Sequence, residues 1–229
     1  MEVIIHSPNI FFTADDHFDH WSPCPVVANV ERRNQWKLCR ECGREHEPKG
    51  SILTLGKGRP FKTIDEHNEA LIDNHNSVVK PGDLVYNLGD FALKTTQKRA
   101  QEFRRRMAGN IYYIVGNHDS IAKSIPGSWV WMKELETIKP KVAGIPHITL
   151  CHYAMRTWGG SHRGSYMLYG HSHGMLPEIP YFLSFDVGVD VPEWNFTPVS
   201  IEQVAAKMAR KMPAWLEWKA SLEGTGRAE

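Results

Sequence analysis

Five short apolar runs in this chain each stop at a knot of aspartate, asparagine or histidine, and that recurrence restricts the fold more than any other feature. Asn9-Ile-Phe-Phe-Thr-Ala14 runs into Asp15-Asp16-His17, and Asp83 to Leu88 runs into Gly89-Asp90. Ile111 to Val115 ends at Gly116-Asn117-His118-Asp119, Ile148 to Cys151 at His152-Tyr153, and Tyr166 to Tyr169 at Gly170-His171-Ser172-His173. Each run is rich in β-branched or aromatic residues, is of strand length, and is bounded by glycine or polar groups, so each reads as a strand. Tyr181 to Val191 reads as one or two more.

Helices fall between them. Thr63-Ile-Asp-Glu66 is a capping box that opens a helix to about Val79, with His67 and His75 on its apolar side as packing residues. A second helix spans about Thr95 to Met107. Ser200-Ile-Glu-Gln203 caps a third, which Pro213 is expected to interrupt. Strands alternating with helices and then following one another predict an α/β chain with a mixed sheet or sandwich flanked by helices. Residues 1–222 read as one domain, and 223–229 as a flexible tail. Residues 21–60 do not fit this rhythm. They carry three of the four cysteines and eight Lys/Arg against four Glu, and read as an insertion.

The whole chain has 27 Lys+Arg against 26 Asp+Glu, so no global charge draws it to nucleic acid or anionic lipid. No apolar run approaches the roughly 18 residues of a membrane span, and the first residues lack the basic start of a secretory signal. A cytoplasmic setting without membrane partners is expected. The composition stands out in its 12 histidines, the side chains most ready to ligate metals and move protons near neutral pH.

Two-metal phosphoester hydrolysis needs hard carboxylates and neutral imidazoles converging on one point, with a pair of ions about 3.5–4 Å apart. Strand ends supply that convergence, because adjacent strands set their terminal loops side by side on a rigid support. Any one histidine would ordinarily be a core or turn residue. Five such motifs at five strand ends point to a metal centre.

The order D-x-H, G-D, G-N-H-D, H, G-H-x-H resembles the calcineurin-like metallophosphoesterases. The stretches Thr63 to Ile72 and Phe185-Asp-Val-Gly-Val-Asp190 are similar to small phage and bacterial members. The resemblance implies a four-layer α/β/β/α sandwich with a dinuclear centre of Mn, Fe, Ni or Zn. Carried over by position, Asp15, His17, Asp90 and His173 would hold one ion, and Asp90, Asn117, His152 and His171 the other. A hydroxide held by the metals would attack phosphorus in line, without a covalent phosphoenzyme. His118 would stabilise the transferring group or protonate the leaving oxygen, and Asp119 would either orient His118 or serve as a turn carboxylate. His20 and Arg156 are candidate phosphate contacts, with surface-loop roles as their alternatives. Asp190 is expected to be structural. The substrate is a phosphomonoester or a phosphodiester of a nucleotide or nucleic acid.

Within the insertion, Cys39-Arg-Glu-Cys42-Gly43 has the form of a zinc knuckle. Cys24 and His46 complete a candidate structural zinc site, with unligated thiols as the alternative. The insertion leaves immediately after Asp15 and His17, so Arg32, Arg33, Lys37, Arg40 and Arg44 are placed to rim the substrate site. Cys151 reads as a buried strand residue. A second function class stays open, a nucleic-acid-binding module built on the knuckle and on the basic helix with Lys98, Arg99, Arg104, Arg105 and Arg106.

Overall fold

A computed structural model of the chain describes residues 9–23, 37–38, 45–46, 53–55, 59–61 and 63–223. In chain order the elements are β1 (Ile10–Thr13), β2 (Trp21–Pro23), β3 (Lys37–Leu38), β4 (Glu45–His46), β5 (Leu53–Leu55), α1 (Ile64–Val78), β6 (Leu84–Asn87) and α2 (Gln97–Arg106). Then come β7 (Asn110–Ile114), α3 (Ser120–Lys123), β8 (Met132–Lys133), β9 (Leu135–Ile138), β10 (Ile148–Cys151), β11 (Tyr166–Tyr169), β12 (Ser184–Asp186), β13 (Val199–Ser200) and α4 (Ile201–Glu223).

Two sheets carry the mixed α/β architecture. The first runs β13-β1-β6-β7-β8, parallel except for β13, with Phe12 opposite Tyr86 and Tyr86 opposite Tyr112. The second runs β12-β11-β10-β9, with β9 antiparallel, Ile148 opposite Tyr166, and Met167 opposite Ser184. Alternation along each strand divides the side chains between two interiors. Ile10 and Phe12 of β1 share one apolar cluster with Ile148, Leu150, Leu168 and Phe185, so the two sheets bury their facing sides together. Phe11, Val85, Ile111 and Tyr113 point the other way, against Leu71 and Ile72 of α1 and Phe103 of α2. Burial on both sides explains why β1 reads as an unbroken apolar run. Met167 and Tyr169 leave the second sheet on its outer side and pack with Trp158.

The expected caps form. Thr63 Oγ1 accepts from the Glu66 amide at 3.1 Å, and Ser200 and Gln203 bond reciprocally at 2.8 and 3.3 Å. The break expected at Pro213 does not occur, and α4 runs through it. Pro213 is exposed, and so is Ala209, the residue whose carbonyl a proline at 213 deprives of its helical donor. Meanwhile Met208 and Trp215 on the other face are seated in the inter-sheet core. From Tyr181 to Val191 only Ser184–Asp186 is a strand. Residues 21–23 pair with 53–55, which closes the insertion at its base. Cys24, Cys39 and Cys42, the His46 side chain, and the proposed rim residues Arg32, Arg33, Arg40 and Arg44 lie outside what the structure describes. Of Lys37, the backbone alone is described, paired with His46. Among the described residues no helix is long and apolar enough to cross a membrane.

His75 and His67 are buried as packing residues of α1. Burial lowers the His75 pKa to about 4, against the bond from its ring to the Ala108 carbonyl. Between pH 4 and about 6.5 the unfolded chain therefore binds a proton here that the folded chain refuses, so stability rises with pH across that window. His75→Gln should reduce the slope of unfolding free energy against pH by up to about 1.4 kcal/mol per pH unit, checked by urea melts from pH 4 to 7.

Candidate metal centre

The C-terminal ends of β1, β6 and β7 open on the same side as those of β10, β11 and β12. The loops beyond them are laced by backbone bonds. The Asp15 amide donates to Gly89, His17 to Asp90, Gly170 to His152 and Val189 to Ala14, all within 2.9–3.0 Å. This places two ligand clusters side by side, Asp15–His17–His173 and Asp90–His152–His171. In each, the candidate ligand atoms lie within 4.8 Å of one another, close enough to share one ion.

Asp90 joins the two. Its Oδ2 is 3.5 Å from His17 Nε2 in the first cluster and 3.5 Å from His152 Nε2 in the second. Burial opposes its ionisation, yet the His152 ring and the His118 amide hold its pKa down to about 2. Asn117 belongs with the second cluster, its Oδ1 lying 3.0 Å from His152 Nε2. His152 Nδ1 donates to the Leu88 carbonyl at 2.7 Å, which holds the ring with Nε2 turned inward. Several atoms able to ligate a cation thus meet at one point.

His17 supplies the test of fit. It is buried, and among the described residues neither ring nitrogen has a hydrogen-bond partner. Burial, and then the Arg59 charge, keep this imidazole neutral, with its pKa well below the ordinary value. An unpartnered buried imidazole costs about 1–3 kcal/mol. Its Nε2 faces Asp90 at 3.5 Å and Asp15 Oδ1 at 4.0 Å. Those separations are too long for hydrogen bonds and suit donors on a shared cation with bonds of about 2.0–2.2 Å. The donor set of carboxylate, imidazole and amide oxygen fits divalent transition metals.

The backbone is strained to achieve this. Asp15, His17, Asp90, His171 and His173 have φ of 61°, 50°, 59°, 66° and 50°, so five of the seven ligand candidates lie in the left-handed region. That region costs a non-glycine residue roughly 1–2 kcal/mol, and such strain collects at functional sites. Asp119 holds part of it in place. Its carboxylate accepts from the amides of Asp90 (2.9 Å), Phe91 (3.1 Å) and Gly116 (2.5 Å) and from the Tyr113 hydroxyl (2.7 Å). Of the two roles expected of Asp119, these bonds fit the turn carboxylate, since its oxygens bond the loops bearing Asp90 and Asn117.

No family model matches the chain. Uncharacterized protein MJ1445 of Methanocaldococcus jannaschii is 32% identical over 152 residues, which cover 64% of this chain and 77% of that protein. The chain belongs to the family of that archaeal protein. The crystal structure of AQ665 from Aquifex aeolicus, a protein of unknown function, superposes with a TM-score of 0.55. It matches at 18% identity over 87% of this chain and 99% of its own, which shows a shared fold. A single mutant of Vps29 from Entamoeba histolytica, at 17% identity, covers 78% of this chain and 72% of its own with a TM-score of 0.33, too loose to carry an argument.

The remaining expected residues divide. The His20 and His118 rings lie 4.9 and 5.8 Å from the His17 ring, beside the first cluster. Arg156 instead lines a 410 Å³ cavity with Trp158, Tyr181, Phe182, Trp215 and Trp218. It follows the chain past His152 to the side where Trp158 packs. Sequence reasoning missed two supports. Asp190 accepts from His173 Nδ1 at 2.5 Å, turning Nε2 towards Asp15, and is in turn gripped by Arg59 at 2.7 and 2.8 Å. Asp190 is therefore more than structural. Its signal was the second aspartate of Asp-Val-Gly-Val-Asp, whereas nothing in Gly58-Arg59-Pro60 marks the arginine.

The motif glycines are there for space. A methyl on Gly116 would sit 2.3 Å from Asp90 Oδ1. Gly116→Ala should lower the melting temperature and weaken Mn2+ uptake, measured by thermal shift with and without metal. Gly159→Ala, whose added carbon meets nothing within 4 Å, should change neither.

Proposed function

We propose that the chain is a metal-dependent phosphoester hydrolase of the calcineurin-like type, working with a dinuclear centre. The observation that carries this reading is the position of Asp90 Oδ2, 3.5 Å from a histidine of each cluster, as a carboxylate shared by two ions requires. Asp15, His17, Asp90 and His173 would hold one ion, and Asp90, Asn117, His152 and His171 the other, with Mn, Fe, Ni or Zn suited to these donors. When bound, such a pair supplies Lewis acidity at the phosphoryl oxygens and lowers the pKa of a water. The two parallel-rich sheets agree with the α/β/β/α sandwich of that family, in which strand-end loops carry the chemistry.

His118 is proposed as the group that donates a proton to the leaving oxygen. Its backbone amide bonds Asp90 Oδ1 at 2.8 Å, which ties the ring's position to the carboxylate that both clusters share. The ring is exposed at the mouth of the site, where a substrate can reach it. His20 has its pKa lowered to about 4 by burial and by the Lys94 and Arg59 charges. At neutral pH it would meet a phosphate as an uncharged hydrogen-bonding group. Substrates of this site are phosphomonoesters or phosphodiesters, nucleotides and nucleic acids among them.

The nucleic-acid-binding alternative loses support from the basic helix. Arg99 pairs with Asp19 and Asp65, Arg106 pairs with Glu69, and Arg104 donates to the carbonyls of Ser128, Met107 and Gly109. Three of its five cations thus serve intramolecular partners.

With Mn2+ supplied, the protein should hydrolyse bis(p-nitrophenyl) phosphate or p-nitrophenyl phosphate, and Asp90→Asn should abolish turnover. His118→Ala should lower kcat about 10²–10⁴-fold with metal content unchanged. No turnover of either ester with any of the four metals, together with salt-sensitive binding of DNA by metal-stripped protein, would favour the alternative.

A further inference from the structure

Among the described residues, Arg59 is the one charged side chain that reaches from the end of the insertion into the supports of the metal centre. It is 4% exposed. Its Nε and Nη2 form a fork on the two oxygens of Asp190, at 2.7 and 2.8 Å. Nη2 also donates to the Asp15 carbonyl at 2.5 Å, and Nη1 to the Asp16 carbonyl at 2.6 Å. Nη1 lies 2.5 Å from His67 Nε2 on α1.

These contacts fall on the first cluster. Asp190 accepts from His173 Nδ1, so the fork determines where His173 Nε2 points, 3.9 Å from Asp15 Oδ1. The two carbonyls belong to the segment that starts at Asp15, whose φ of 61° and the 50° of His17 must be held against their intrinsic cost. One planar group therefore braces both arms of the cluster. Arginine suits the task because its donors lie in a fixed plane that matches a carboxylate, whereas lysine offers one rotatable point charge. The cation is offset by Asp190, so it stands near a metal site without opposing an ion there by its full charge.

We propose that Arg59 is the positioning residue of the first cluster, setting Asp15, His17 and His173 for a divalent cation, since the hydrogen bonds of its side chain described above go to Asp190 and to the Asp15–Asp16 backbone and not to Asp90, His152 or His171. The segment that ends the insertion is thereby a structural part of the metal centre. This inference rests on the metal centre proposed above and not on the reaction assigned to it.

The test is Mn2+ binding to the full-length protein, followed by equilibrium dialysis with elemental analysis and by electron paramagnetic resonance. Mn2+ is the probe because thiolates prefer zinc, which leaves the insertion's cysteines silent. The wild type should bind two ions that give a spin-coupled spectrum. Arg59→Gln should weaken one ion about 10–100-fold, the range for loss of a group that orients a metal ligand. The other ion should stay at wild-type affinity, with the spectrum of an isolated Mn2+. Arg59→Lys should remain weakened, and Asp190→Asn should reproduce the selective loss. Coupled binding of two ions at wild-type affinity in Arg59→Gln would overturn the proposal, as would equal weakening of both. If Arg59→Gln does not fold by circular dichroism, Asp190→Asn decides, and intact binding of both ions there overturns the proposal. No Mn2+ binding by the wild type would bring down the metal centre itself along with the inference. Two bound ions without hydrolysis would bring down the assigned reaction alone and leave the Arg59 result to stand.

Discussion

The Asp90 carboxylate sits where the two ligand clusters meet, and the surrounding loops are arranged to hold it ionised in a place that resists charge. It follows β6 directly, in a left-handed conformation, with its amide bonded to Asp119 and its Oδ1 to the His118 amide. The remaining oxygen is left to face His17 and His152. Asp119 is the hidden counterpart. By gathering three amides and the Tyr113 hydroxyl, it ties the loop after β6 to the loop after β7 before any ligand is considered. The apolar clusters on both sides of the first sheet offset this local strain, since one fully buried large side chain such as Phe12 contributes about 1.5–3 kcal/mol.

Electrostatics explains why so many acids can be buried together. Asp15 has its pKa raised well above the ordinary value, first by burial and further by Asp186, Asp90 and Asp190, while His152 opposes the rise. Burial and the neighbouring carboxylates thus both disfavour charge on Asp15, and cations at the two clusters would offset them. Asp190 goes the other way. Burial works against its charge, but Arg59 and His173 hold its pKa well below the carboxylate range. The protein thus supplies its own cation to Asp190, the carboxylate that orients His173.

Much of this was legible in the residues. The five apolar runs are strands β1, β6, β7, β10 and β11, because apolar runs between glycine and polar punctuation need no tertiary information to be read. The helix starts were legible because capping is local. The strands missed were short or lay at an edge. β8 and β13 have two residues each, and β9 is the half-exposed Leu135–Ile138, so neither length nor apolar pattern marked them. Pro213 misled because its cost depends on which side of the helix it faces.

The residue types at the strand ends determined which side chains could ligate a metal, since imidazole, carboxylate and amide donors in that order have few other common uses. Their sorting into two clusters was decided only by the tertiary structure. The Asp15 carboxylate receives the His171 amide from 156 residues away, and Arg59 reaches Asp190 across 131. Contacts at such separation follow from how two sheets stack and how their loops are laced. No local pattern encodes the angle of a guanidinium fork, so the residues that brace the clusters stayed hidden while the candidate ligands could be read.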